Sequence, residues 1–257
     1  TAPSESLQIR IHGDASLPTL LYLPGLHGDW TIVTAFRKAI AGRVRFIEFT
    51  YPRSLDWSLD DYAAAIETAL AANGIEHGWL LGESFSSQIL WPLLRRAKFC
   101  ADGAIIAGGF VRHPLVWAVR CAEHLARGVP LTWITSALFF YARIARWRQH
   151  ADPDVHASIG EFIARRTELD RAAAAHRLRL IAHHDPRDTA RATTLPVFFL
   201  SGFFDPIVPW PFVRHWLAYH CPGFRASRIL PFSHHAVLSV SPKKSADLIA
   251  TWMRSAV

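Results

Sequence analysis

The stretch WLLGESFSSQIL, residues 79–90, decides how this chain of 257 residues is read. Trp79, Leu80 and Leu81 make a short apolar run of the kind a buried strand shows. Gly82, Glu83 and Ser84 make a turn, and a helix-like segment follows. A serine at such a strand–turn–helix corner is where a nucleophile is held exposed above a sheet, in the pattern Gly-x-Ser-x-Gly. Here Ser86 stands at the fifth position, where glycine is usual. Taken alone, Gly-x-Ser is equally the mark of an ordinary corner serine, so the flanking sequence has to decide.

Upstream, LQIRI alternates apolar and polar residues as a half-exposed edge strand does, and TLLYL and VRFIEF read as further strands. DWTIVTAFRKAI lies between the last two and is helix-like. Ser58 to Asp61 resembles a capping box. After it Leu59, Tyr62, Ala63, Ile66, Ala69 and Leu70 keep helical spacing, and Asn73-Gly74 offers a stop. Downstream, QILWPLLRRA continues as a helix disturbed at Pro92, and GAIIAGGF closes this half as a buried strand. Strand-like text returns in LPVFFLSGFFD and SRILPFS, separated by the helix-like WPFVRHWLAYH. A last helix opens at Ser241-Pro242 and runs to Arg254. Strands alternating with helices predict an α/β fold, a mostly parallel central sheet with helices on both faces. Residues 112–191 break the alternation and read as largely helical. The expected organisation is therefore a core over residues 1–111 and 192–257, with a helical cap inserted over 112–191.

Composition narrows the class. With 51% hydrophobic and 19% charged residues the chain is a folded globular protein and not a disordered one. The longest apolar candidate for a membrane span, residues 129–147, is interrupted by Arg143 and Arg146. The opening TAPSESLQIR lacks the basic-then-apolar layout of a signal peptide. Cys100, Cys121 and Cys221 are odd in number and widely spaced, which suggests neither a disulfide framework nor a zinc site and fits a reducing, cytoplasmic setting. The net charge of +7 is concentrated in residues 112–191, with thirteen arginines against eight acidic residues. That segment has no zinc-finger spacing, RNA-recognition motif or long basic run, so nucleic acid is not an expected partner. A solvated arginine-rich surface is the plain reading, and contact of the basic, aromatic cap with a membrane surface is the other.

A nucleophilic serine needs a base, and the base needs a carboxylate to hold its tautomer. Both follow in order. Asp205 ends the buried run VFFLSGFFD and precedes Pro206, whereas the alternative acid position after the preceding strand, in AIIAGGFVRHP, holds no carboxylate. His234 and His235 follow the next strand, and register relative to Pro242 favours His235, leaving His234 at the entrance. Ser86 and Ser87 fall inside the helix and not at the elbow. Neither the paired histidines nor His183-His184-Asp185, read as lid surface, has metal-ligand spacing, and the chemistry needs no cofactor. The oxyanion would be met by the backbone N–H of Phe85 and by that of Leu26, in the strand-to-turn stretch LLYLPGLHGDW.

LPGLHG at residues 23–28, Tyr51-Pro52, LDDYAAAI and LLGESFS together resemble the α/β-hydrolase superfamily. They resemble in particular a bacterial group of serine hydrolases whose elbow reads Gly-Glu-Ser-Phe-Ser-Gly and whose oxyanion loop reads Leu-Pro-Gly-Leu-Asp-Gly. The resemblance implies Ser84 as nucleophile, Asp205 as acid and His235 as base. This chain departs from the group with Ser87 in place of glycine and His27 in place of aspartate. The expected reaction is hydrolysis of an ester or thioester through an acyl-enzyme, with His27, Glu83, Phe110, Trp133, Phe139 and His234 as substrate-lining candidates. The aromatic cap suggests a hydrophobic acyl group. Acyl transfer to an alcohol or amine would use the same groups, and a non-catalytic ligand-binding protein is the reading from another class.

Overall fold

The computed structural model describes residues 6–128 and 167–255. In chain order the elements begin with β1 (Gln8–His12), β2 (Thr19–Leu23), α1 (Thr34–Ile40) and β3 (Arg45–Thr50). They continue with α2 (Leu59–Ala72), β4 (His77–Glu83), α3 (Ser87–Arg96) and β5 (Cys100–Ala107). Between β5 and β6 (Val197–Gly202) lie α4 (Val116–Gly128), α5 (Glu168–His183) and α6 (Arg187–Ala192). The chain closes with α7 (Trp210–His220), β7 (Phe224–Leu230), α8 (Val237–Val240) and α9 (Pro242–Ser255).

The strands form one seven-stranded sheet in the order β1-β3-β2-β4-β5-β6-β7, with β1 antiparallel to β3 and the remaining pairs parallel. The period-2 alternation of a strand sends successive side chains to opposite faces. Leu21, Ile47, Leu80, Ile106 and Phe199 join the apolar layer shared with α2, α3 and α7. Their neighbours Leu20, Phe46, Leu81, Ile105 and Leu200 join the layer shared with α1, α8 and α9. Two-sided burial is what makes β2 and β6 read as unbroken apolar runs.

Local chemistry sets the helix ends. Ser58 and Asp61 form the expected capping box on α2, and Gly74 follows its end with φ +64°. Pro92 lies inside α3, which nevertheless runs on to Arg96 and ends on Ala97 in the left-handed region. The helix-like text before β3 divides into a single 3₁₀ turn, Thr31–Val33, followed by α1.

The loops after β4, β5, β6 and β7 meet at the C-terminal edge of the sheet, and their contact is tight. A Cβ on Gly202 would lie 2.4 Å from the carbonyl oxygen of His234. Gly202→Ala therefore forces two backbone segments apart and is expected to lower stability by about 1–3 kcal/mol. A urea midpoint equal to that of the wild type would contradict this.

Candidate active site

Strand β4 delivers Ser84 at a turn where the chain doubles back into α3. Ser84 has φ +49°, a left-handed conformation that costs a non-glycine residue roughly 1–2 kcal/mol. A 3₁₀ turn, Ser84–Ser86, bridges strand and helix. The close approach requires glycine at position 82, where a Cβ would stand 3.0 Å from the Ser86 carbonyl oxygen. Ser87 stabilises the turn, donating its hydroxyl to the Ser84 carbonyl at 2.7 Å and accepting from the Phe110 amide at 3.0 Å.

Three loops converge on that serine. His235 Nε2 lies 2.8 Å from Ser84 Oγ, and His235 Nδ1 lies 2.9 Å from Asp205 Oδ2. The other carboxylate oxygen of Asp205 accepts the amides of Ile207 and Val208, both at 2.9 Å. Two amide donors on one oxygen fix the carboxylate, so its second oxygen is left to accept the Nδ1 proton. That tautomer turns the Nε2 lone pair toward the Ser84 hydroxyl, which donates to it. The Asp205 side chain has no exposed surface and that of His235 is 17% exposed, so the chain of hydrogen bonds runs from the interior outward.

The loop after β2 abuts the serine: a Cβ on Gly25 would be 3.7 Å from Ser84 Cβ. Leu26 is the next residue, and Phe85 follows Ser84 with its ring fully buried. Ser86 ties the two loops together. It is completely buried, its hydroxyl donates to the Pro24 carbonyl in a very short hydrogen bond, and the Tyr51 hydroxyl lies 2.8 Å from it. The residue that departs from Gly-x-Ser-x-Gly thus links the elbow to the loop before Leu26.

The remaining substrate-lining candidates are placed differently from one another. Glu83 is buried, and its carboxyl accepts a very short hydrogen bond from the Tyr22 hydroxyl. It faces the interior and not the solvent. Burial pushes its carboxyl above the usual range, while the Tyr22 hydrogen bond opposes the shift. Phe110 is buried with its ring edge-on to His113 at 4.7 Å. His234 is partly buried, its imidazole pKa lowered by that burial, and its backbone packs on Gly202. His27 lines a cavity of about 260 Å³ with Arg10, Asp29, Trp30, Arg53 and Asp170. Trp133 and Phe139 lie outside the described residues.

His184 departs from the lid-surface reading. It packs inward, with Nδ1 2.9 Å from Gln88 Oε1, and burial lowers its pKa to about 4. Gln88 in turn donates to the Phe110 and Val111 carbonyls. Asp185 pairs with Arg112 and Arg187. Arg177 also escaped the sequence reading. It is 1% exposed and donates to the Leu26 and Pro52 carbonyls at 2.8 and 2.9 Å. The available signal was its place on one helical stripe with Ala173 and Ile181, both buried.

The burial of Glu83 has a measurable consequence. An acid whose folded pKa is raised binds its proton more tightly in the folded state, so its stabilising contribution is lost as pH rises through the folded pKa. Glu83→Gln removes that loss. Its melting temperature relative to wild type should rise as the pH climbs above the ordinary glutamate range, and a constant difference would contradict the assignment.

The sequence matches no family model and no curated protein. Similar solved structures include a thermophilic esterase from Thermogutta terrifontis, 21% identical over 97% of this chain and 93% of that one, with a TM-score of 0.73. An enol-lactonase from Burkholderia xenovorans is 17% identical over 96% of each chain, with a TM-score of 0.77. An alpha/beta hydrolase enzyme from a Medee basin deep-sea metagenome library is 15% identical over 96% of this chain and 94% of that one, with a TM-score of 0.78. The sheet order, the positive-φ serine after β4 and these likenesses together establish that the chain has the α/β-hydrolase fold.

Proposed function

We propose that the protein hydrolyses a carboxylic ester or thioester, with Ser84 as nucleophile, His235 as general base and Asp205 as the carboxylate that orients it. The observation that carries this reading is the continuous hydrogen-bonded chain from Asp205 through His235 to a serine held at positive φ. Ser84 Oγ attacks the acyl carbon as His235 takes its proton, and the Leu26 and Phe85 amides stabilise the oxyanion. Collapse of the intermediate expels the alcohol or thiol, which takes the proton from His235. Water then repeats the cycle on the acyl-enzyme, giving up a proton to His235 and releasing the acid. The esterase and the lactonase among the similar structures support an ester as the bond cleaved.

In this reading residues 112–191 form a cap that bounds the acyl site. Phe203, Phe204 and Ile207 stand exposed on the same loop as Asp205, which supports an apolar acyl group beside the serine. A fluorophosphonate probe should attach to Ser84. Ser84→Ala should abolish the adduct and lower kcat/KM by at least about 10³-fold, and an adduct that survives this substitution would remove Ser84 from the role. Among nitrophenyl esters, kcat/KM should rise with chain length up to about eight carbons, since each buried methylene is worth up to about 0.8 kcal/mol. Equal or faster turnover of the acetate would contradict the apolar acyl site.

A further inference from the structure

Helix α5 belongs to the segment between β5 and β6, yet it carries one side chain deep into the rest of the protein. Arg177 is 1% exposed. Its Nη1 donates to the Leu26 carbonyl at 2.8 Å, its Nη2 to the Pro52 carbonyl at 2.9 Å and its Nε to the Tyr62 hydroxyl at 3.3 Å. The rings of Tyr51 and Tyr62 flank the guanidinium at 5.7 and 5.9 Å. Among the described residues no carboxylate forms an ion pair with it.

A buried cation without a counter-ion is a poor way to gain stability. Its desolvation penalty is several kcal/mol, and an apolar side chain of similar volume would avoid it. What the guanidinium supplies and an apolar group does not is a rigid fork of donors. Two of those donors grip the carbonyls of the loops that follow β2 and β3. The first of these loops is shaped around the guanidinium. A Cβ on Gly28 would fall 2.5 Å from Arg177 Nη1, and Gly28 itself has φ +75°. The Gly28 amide donates to the Gly25 carbonyl at 2.9 Å, and the Gly28 carbonyl accepts from the Tyr51 amide at 2.7 Å. Leu26 is thus held between two anchors from outside its own loop. Ser86, on the elbow, holds Pro24, and Arg177, on α5, holds the Leu26 carbonyl.

Resting on the hydrolase reading above, we infer that Arg177 is a positioning residue for the oxyanion loop: by holding the Leu26 carbonyl it makes the orientation of the adjoining Leu26 N–H depend on the docking of α5. It touches neither substrate nor the reacting atoms. Its effect should therefore appear where charge develops on the carbonyl oxygen and not in ground-state binding. Loss of a whole oxyanion donor typically costs about 10²–10³ in kcat, and a displaced donor should lose a part of that.

The experiment compares wild type, Arg177→Met, Arg177→Lys and Gly28→Ala, each checked for folding by thermal melt. An exposed control on α6, Arg191→Ala, is measured beside them. Arg177→Met is expected to lower kcat about ten- to hundredfold, with KM for a nitrophenyl ester within about threefold. Affinity for an aryl trifluoromethyl ketone, which forms a tetrahedral adduct on the serine, should fall in parallel. Inhibition by the carboxylate product should stay unchanged. Lysine keeps the charge but replaces the planar fork, whose separate nitrogens meet Leu26 and Pro52, with a single nitrogen, so Arg177→Lys should show the same pattern at smaller size. Gly28→Ala crowds the native guanidinium and tests the idea even if Arg177→Met does not fold. Arg191→Ala should match wild type throughout.

In an active wild type, folded Arg177→Lys and Gly28→Ala proteins with kcat and ketone affinity within twofold of wild type would overturn this inference alone. So would losses confined to KM and product binding. A wild type that neither turns over esters nor takes the phosphonate would overturn the hydrolase reading, and this one with it.

Discussion

The strained turn at Ser84 is the constraint around which the C-terminal edge of the sheet is arranged. A non-glycine residue keeps φ +49° only where its surroundings leave no alternative. Strand β4 is hydrogen-bonded to β2 on one side and β5 on the other, and α3 starts directly after the turn, so neither neighbour can relax. From this follow the missing side chain at Gly82, the Ser87 hydroxyl on the Ser84 carbonyl, and the exposure of the serine toward His235.

Around the turn the protein uses buried polar groups in sets of two to four. Tyr22 holds Glu83, Tyr51 and Pro24 share the Ser86 hydroxyl, and Gln88 joins His184 to the strand-end carbonyls of Phe110 and Val111. A buried polar atom left without a partner costs about 1–3 kcal/mol, so each of these links specifies one arrangement of the loops it joins. The apolar layers on the two sheet faces supply cohesion, and these links supply register at the edge where the loops meet.

The sequence was legible wherever the signal is local. Capping at Ser58, the bounds of α7 and the two-sided apolar strands all depend on neighbours within a few positions, and the candidates Ser84, Asp205 and His235 were each found just beyond a strand-like run. Residues joined across long separations were not legible. Tyr22 and Glu83 are 61 positions apart, Gln88 and His184 are 96 apart, and Leu26 and Arg177 are 151 apart. Periodicity marks Arg177 only as a charge on an apolar stripe, and His184 only as one of two adjacent histidines. Tyr51-Pro52 was noticed as part of a resemblance, and its physical use, one hydroxyl on Ser86 and one carbonyl on Arg177, emerges only with the fold.

Gly109 gives the departure at Ser87 a different meaning. A Cβ there would sit 2.7 Å from Ser87 Cβ and 2.8 Å from its hydroxyl. The crossing of α3 over the end of β5 therefore has room for a single side chain, and this protein has placed it on the helix. Glycine at position 87 would free that space for a small side chain at 109, just beyond β5, once Ile106 Cγ2, 2.8 Å from the added Cβ, gave way. The two sites then behave as one unit of volume. Substitutions at them should combine non-additively, and a chain could pass from one arrangement to the other only through a state that is either overfilled or hollow.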